Sequence, residues 1–160
     1  MNKNDPDYKN THFEFPELTR IHGEPTTADL ITIQRQVRAN ASIVHSSLGG
    51  GHHGLLGLAC SPQVYALVPN SAPFDRPAAP GQLNVPAGAT QYQIQQQRDQ
   101  HSEDVRVFKE VLAVQRVLIQ QIVAALDAKY IKALRDPITN KISRTIPQIF
   151  AHLFDAYGHV

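Results

Sequence analysis

Tryptophan is absent from this chain of 160 residues, methionine occurs once, and Cys60 is the single cysteine. One thiol cannot close an intramolecular disulfide, so packing alone must hold the core, and a reducing, cytoplasmic setting is the expectation. Excess charge is missing too: the formal net charge is +1, which excludes a protein that coats nucleic acid by charge alone. No apolar run reaches the roughly 20 residues of a membrane-spanning helix, and residues 1–10 are polar with Pro6, so neither a secreted nor a membrane protein is expected. Alternating apolar runs are equally scarce. Residues 83–85 are the one stretch that reads as a strand, and the expected class is therefore all-α. The lack of tryptophan by itself excludes nothing. The length fits one domain with a substantial core.

What is present is a series of helical patterns separated by glycine and proline. Residues 1–25 carry Pro6, Pro16 and Pro25 around an apolar island of Phe13, Phe15, Leu18 and Ile21, and read as an extended arm that docks on a domain at 26–160. A first helix is expected from Thr26 or Thr27, with Asp29 near its positive end and Leu30, Ile33, Val37, Ala41, Val44 and Leu48 at steps of three and four. Glycines stop it: Gly49, Gly50, Gly51 and Gly54 each cost a helix roughly 1 kcal/mol relative to alanine. Ser61 and Pro62 form a cap and first turn for a short helix through Tyr65 and Val68. Residues 69–88 hold Pro69, Pro73, Pro77, Pro80 and Pro86 and read as a mobile, extended loop.

Thr90 begins the longest expected helix, to about Leu126, with a glutamine-rich opening and no apolar residue between Ile94 and Val105. That opening is expected to face solvent or a partner, and the later half to be core. Asp127 is the expected cap of a short helix over 128–135, stopped by Asp136 and Pro137. The last helix is bounded on both sides: Thr145 and Gln148 make a capping box, Pro147 sits in the first turn, and Gly158 is placed for a left-handed cap. Its stripe of Ile146, Ile149, Phe150, Leu153, Phe154 and Tyr157 must bury itself against other helices. The expected seam sets Phe150, Leu153, Phe154 and Tyr157 against Leu118, Ile122 and Leu126. The whole is expected to be a bundle of four to five helices.

In the second half of the chain this arrangement resembles the Gag polypeptide of copia-type LTR retrotransposons. That family's capsid region carries an aromatic, then Leu three residues on, then Tyr four further; here these are Phe150, Leu153 and Tyr157, with phenylalanine where the family favours tryptophan. Leu118, Ile122, Leu126, Tyr130 and Leu134 look like its upstream ladder, and residues 49–58 resemble the glycine-rich segment of a subgroup. The resemblance implies a non-enzymatic capsid-like protein that self-associates as a homo-oligomer into virus-like particles and packages element RNA. No Cys-rich zinc knuckle is present, so that element is expected downstream of Val160 or not at all.

The residues themselves offer little catalytic chemistry. The glycine-rich loop lacks the Lys-Ser/Thr ending of a P-loop and a preceding strand, so it reads as a connector or a close backbone approach. His45, His52, His53 and Cys60 match no zinc spacing, and the histidines read as solvent-facing loop residues. Glu103, Asp104 and Glu110 with Arg106 and Lys109 read as an exposed, ion-paired helix face, and Ser46, Ser47 and Ser61 lack a nucleophile-elbow setting. No cofactor is implied. Lys129, Lys132, Arg135, Lys141 and Arg144 form a basic cluster and a candidate RNA contact, weighed against a solvated face because Tyr130 alone is an interleaved aromatic. Against the capsid reading stands a small helical adaptor that binds one protein partner without higher assembly.

Overall fold

Three helices begin with the same local instruction. Thr26, Thr90 and Thr145 each accept the backbone N–H three residues on, and the side chains of Asp29, Gln93 and Gln148 return a bond to the cap's own N–H. Two otherwise unpaired donors are thereby satisfied at each start. In the computed structural model, which describes residues 13–158, these are α1 (Thr27–Ser42), α3 (Gln91–Ala125) and α5 (Ile146–Tyr157). Between them lie α2 (Pro62–Tyr65), opened by Ser61 and Pro62, and α4 (Ala128–Ile131). The fold is all-α, with five helices and no strand among the described residues.

Helix α1 is the centre of the bundle, packing against both α3 and α5. It contributes Leu30, Ile33, Val37 and Ala41; α3 adds Val114, Leu118 and Ile122, and α5 adds Ile146, Ile149, Phe150 and Leu153, all essentially sealed from solvent. Leu126, Ile131 and Leu134 close one end, and Leu55 and Leu58 of the glycine-rich segment fill another part of the same core. Of the expected seam, Leu118, Ile122, Leu126, Phe150 and Leu153 are buried, while Phe154 and Tyr157 are half-buried against the core.

Four local expectations need correction. Helix α2 closes at Tyr65 rather than running through Val68, because the Leu67 and Val68 N–H groups turn to the Val64 and Tyr65 carbonyls three residues back. Helix α1 stops at Ser42, ahead of Val44 and Leu48, because the returning chain caps it: the Leu55 N–H donates to the Ala41 carbonyl at 3.0 Å. Residues 128–135 are α4 followed by a 3-10 turn, and Asp127 does not cap them, because its carboxylate is taken by Arg20 and by the Gly23 N–H. Gly158 has φ −83° rather than a left-handed conformation, since its N–H continues the helical pattern to Phe154 O and its carbonyl accepts the Thr27 hydroxyl at 2.7 Å.

The arm is held mainly through its backbone. Residues 1–12 lie outside the described residues; from Phe13 on, Phe13, Leu18 and Ile21 are buried. Asn40, fully buried on α1, accepts the Phe15 N–H and donates to the Phe15 carbonyl, both at 2.9 Å. The same amide donates to Gln121 Oε1 on α3, whose own Nε2 donates to the carbonyls of Phe15 and Pro16. Further along, Gln36 bonds the Thr19 backbone and hydroxyl, and the Ile21 N–H donates to Ala125 O at 2.7 Å. Sequence reasoning missed Asn40 and Gln121. The available signal was a carboxamide on an apolar stripe, three residues after Val37 and three after Leu118.

Two outcomes follow from these clasps. Asn40→Ala strands the Phe15 backbone and the Gln121 amide in an apolar site, and urea unfolding should register a loss of about 2–3 kcal/mol; a loss near zero would mean the clasp is not formed. The Asp127 carboxyl is held below its ordinary value of 3.8, first by the Arg20 hydrogen bond and then by the Gly23 N–H. A depressed carboxyl stabilises fully above the unfolded value and loses that contribution as pH falls through the folded one. The protection factors of the Ile21 and Gly23 amides against hydrogen exchange, taken relative to the intrinsic rate at each pH, should therefore fall below pH 3.8, and Asp127→Asn should flatten this dependence.

Candidate functional site

Helix α3 runs 35 residues, roughly 52 Å at 1.5 Å per residue, but its first buried side chain is Val111. Much of the stretch ahead of Val111 is tied by bonds within the helix. Gln95 donates to Asp99, Gln100 to Asp104 and Gln96 to the Tyr92 hydroxyl, each four residues on or back. Arg106 bridges Glu103 and Glu110, an exposed pairing that pulls the Glu103 carboxyl below its usual range. Such i,i+4 bonds hold an isolated helix together without a core beneath it. Tyr92 is left 71% exposed near the tip.

The proline-rich segment lies back along this helix as a strap. Half-burial recurs at Ser71, Phe74, Pro77, Pro80 and Leu83 with exposed residues between, a spacing of three that sets one edge of an extended segment inward, with a left-handed turn at Gly81 before Leu83. Arg76 donates to Gln115 on α3 and to the Leu58 carbonyl, and His101 bonds the Gly81 carbonyl at 2.8 Å. Where the strap meets the start of α3, Pro86, Ala87 and Gly88 border an open hollow of about 800 Å³ with Gln93, Gln96 and Gln100 opposite. Its lining offers amides and one carboxylate, Asp99, and no nucleophile.

The glycine-rich segment anchors the other end of the strap. Phe74 meets Tyr65 edge-on, with ring centroids 5.8 Å apart, and lies over Gly57, where a Cβ would stand 2.1 Å from the Phe74 ring. Gly49 adopts φ 61° beneath the Tyr65 hydroxyl, which donates to its carbonyl at 2.7 Å. These glycines make space for a close backbone approach. His53 departs from the expectation of a solvent-facing ring: it is half-buried and bonds the Pro69 carbonyl at 2.6 Å, because the chain after α2 folds back over it. His45 and His52 are exposed, and Cys60 is buried with its thiol pushed up by that burial. Among the described residues no group of three His, Cys, Asp or Glu side chains is placed to hold a metal ion.

The basic residues divide. Lys129 and Lys132 lie on α4 and its following turn, and Arg135 donates to Asn140 O across a loop closed by the Asp136 N–H to Lys141 O bond, which brings Lys141 alongside. Within that loop the Asp136 carboxylate accepts the Thr139 and Ile138 N–H groups, which lower its pKa and keep it charged among the cations. Arg144 stands apart, beside a shallow hollow with Gln148, Ala151, His152 and Asp155 on the outer face of α5. Tyr130 is not a base-stacking platform: its ring is buried edge-on against Tyr157 at 5.2 Å, and Lys129 lies over it at 5.0 Å.

No helix among the described residues is long and apolar enough to cross a membrane. Compared with known proteins, the chain matches no family model, no curated protein and no solved structure.

The strap's anchor is open to a direct check. Gly57→Ala places a methyl inside the Phe74 ring volume and should cost about 1–3 kcal/mol by overpacking, with faster limited proteolysis within 69–88. Combining it with Phe74→Ala should cost no more than Phe74→Ala alone, since the two changes act on one contact. Full additivity would show that Phe74 does not occupy the Gly57 socket.

Proposed function

We propose that this chain is a non-enzymatic structural protein of the Gag or capsid kind, which self-associates in the cytoplasm into particles that package RNA. The class comes from the resemblance of the Phe150, Leu153 and Tyr157 helix to copia-type Gag. The observation that supports association is the N-terminal part of α3. A helix of 35 residues whose first buried side chain is Val111 carries a stiff, polar opening that stays exposed at Tyr92, Gln95, Arg98 and Asp99 beside the edge its own strap covers. Assemblies of identical copies use such repeated patches, which close into rings and shells when the rotation between copies closes. For RNA, the favoured contact is Lys129, Lys132, Arg135 and Lys141, with Arg144 on the neighbouring face; with Tyr130 buried, the contact is to phosphate rather than to bases.

Light scattering behind size-exclusion chromatography, over a wide concentration range with and without a single-stranded RNA, tests both halves of this reading. Growth into regular particles by microscopy is the expected result. Binding should weaken steeply with salt, and replacing all five basic residues by glutamine should flatten the logarithmic salt slope by up to about 3.5, at roughly 0.7 for each phosphate left without its cation. A monodisperse monomer at every concentration would overturn self-association and favour the adaptor. An unchanged salt slope would remove the basic cluster from RNA binding.

A further inference from the structure

Over its described residues, 13–25, the arm has almost no structure of its own. Apart from Arg20 reaching the neighbouring Ile21 carbonyl, its hydrogen bonds go to the body: Phe15 to Asn40 and Gln121, Thr19 to Gln36, Ile21 to Ala125, and Arg20 and Gly23 to Asp127. The cradle between α1 and the end of α3 is thus a complete receptor for an extended segment, reading its backbone and taking Phe13, Leu18 and Ile21 into the core. Any copy of the segment satisfies it equally.

The path of the arm is antiparallel to α1, with Phe15 beside Asn40 and Thr19 beside Gln36. It must then reverse before Thr26, the cap of α1. Only Gly23, Glu24 and Pro25 are left for the reversal. Gly23 supplies it with φ +76°, a left-handed conformation that costs other residues energy, and Pro25, buried, fixes the next φ. An opened connector would need neither the tight turn nor the left-handed residue, and would carry the arm away from its own α1.

We infer that the arm is exchangeable: the cradle takes residues 13–22 from a second copy of the chain, giving a reciprocally clasped pair. This deepens the self-association reading, on which it rests, by naming the segment that crosses and the groove that receives it. The closed and exchanged forms share every arm contact and differ only at the connector, so small changes there set the balance between them. The natural probe is Gly23, because a Cβ added there meets nothing within 4 Å. A substitution adds backbone strain to the closed form alone.

The test uses the full chain in three forms: unmodified, Gly23→Ala, and a variant with four Gly/Ser residues inserted after Gly23, which lets the arm fold back without a tight turn. Each carries the photo-cross-linking residue benzoylphenylalanine in place of exposed Thr19, next to Gln36. Circular dichroism confirms equal helix content. The expected result is cross-links between chains in the paired fraction, with Gly23→Ala favouring pairs by about tenfold per connector and the insertion shifting the population to monomers with cross-links inside one chain. Particles or pairs whose cross-links stay inside one chain would overturn arm exchange and leave self-association standing. No association in any of the three forms would overturn both.

Discussion

Asn40 and Gln121 meet inside the apolar core, and neither carboxamide tolerates burial without partners. Each finds them in the other and in the backbone of Phe15 and Pro16. The consequence reaches well past two side chains. A shift of α1 along α3 by one residue would break the amide contact, and a slip of the arm by one residue would present the wrong backbone groups. Hydrophobic burial pulls the three elements together without direction, whereas this amide group fixes their register. Helix α5 then packs on an α1 whose position is already set.

The same division of labour recurs on the opposite flank. Apolar contact there centres on Phe74, over Gly57 and against Tyr65, and alignment comes from polar ties: Arg76 to Gln115, His101 to the Gly81 carbonyl, His53 to the Pro69 carbonyl. Two extended segments, the arm and the strap, are therefore both held to the body by polar ties, several of them from side chains to main chain. The bundle itself is small, and these segments widen its footprint on α3 at both ends.

What the sequence made legible was what is decided locally. The helix start at Thr90, the capping box at Thr145, the Ser61 and Pro62 start of α2, and the apolar spacings on α1 and α5 are each set within a few residues, and the helices begin where those signals put them. The misreadings share a different cause. Asp127 looks like a cap until Arg20, over a hundred positions earlier, takes its carboxylate. The end of α1 is set by Leu55 returning from the glycine-rich loop, and Gly158 is governed by Thr27. The basic cluster was visible as composition, but the burial of Tyr130, which removes its only stacking surface, depends on Tyr157 in another helix.

The strap's half-buried residues, Ser71, Phe74, Pro77, Pro80 and Leu83, recur every third position. A segment that buries every third residue has a phase as well as a path. Inserting or deleting one residue between Phe74 and Pro77 would shift this period by one, turning Pro77 and Pro80 outward and bringing exposed neighbours against the body. Changes in multiples of three would keep the phase. This segment, though it contains no regular helix, accordingly carries a reading frame of its own, and variation in its length is constrained by arithmetic rather than by composition.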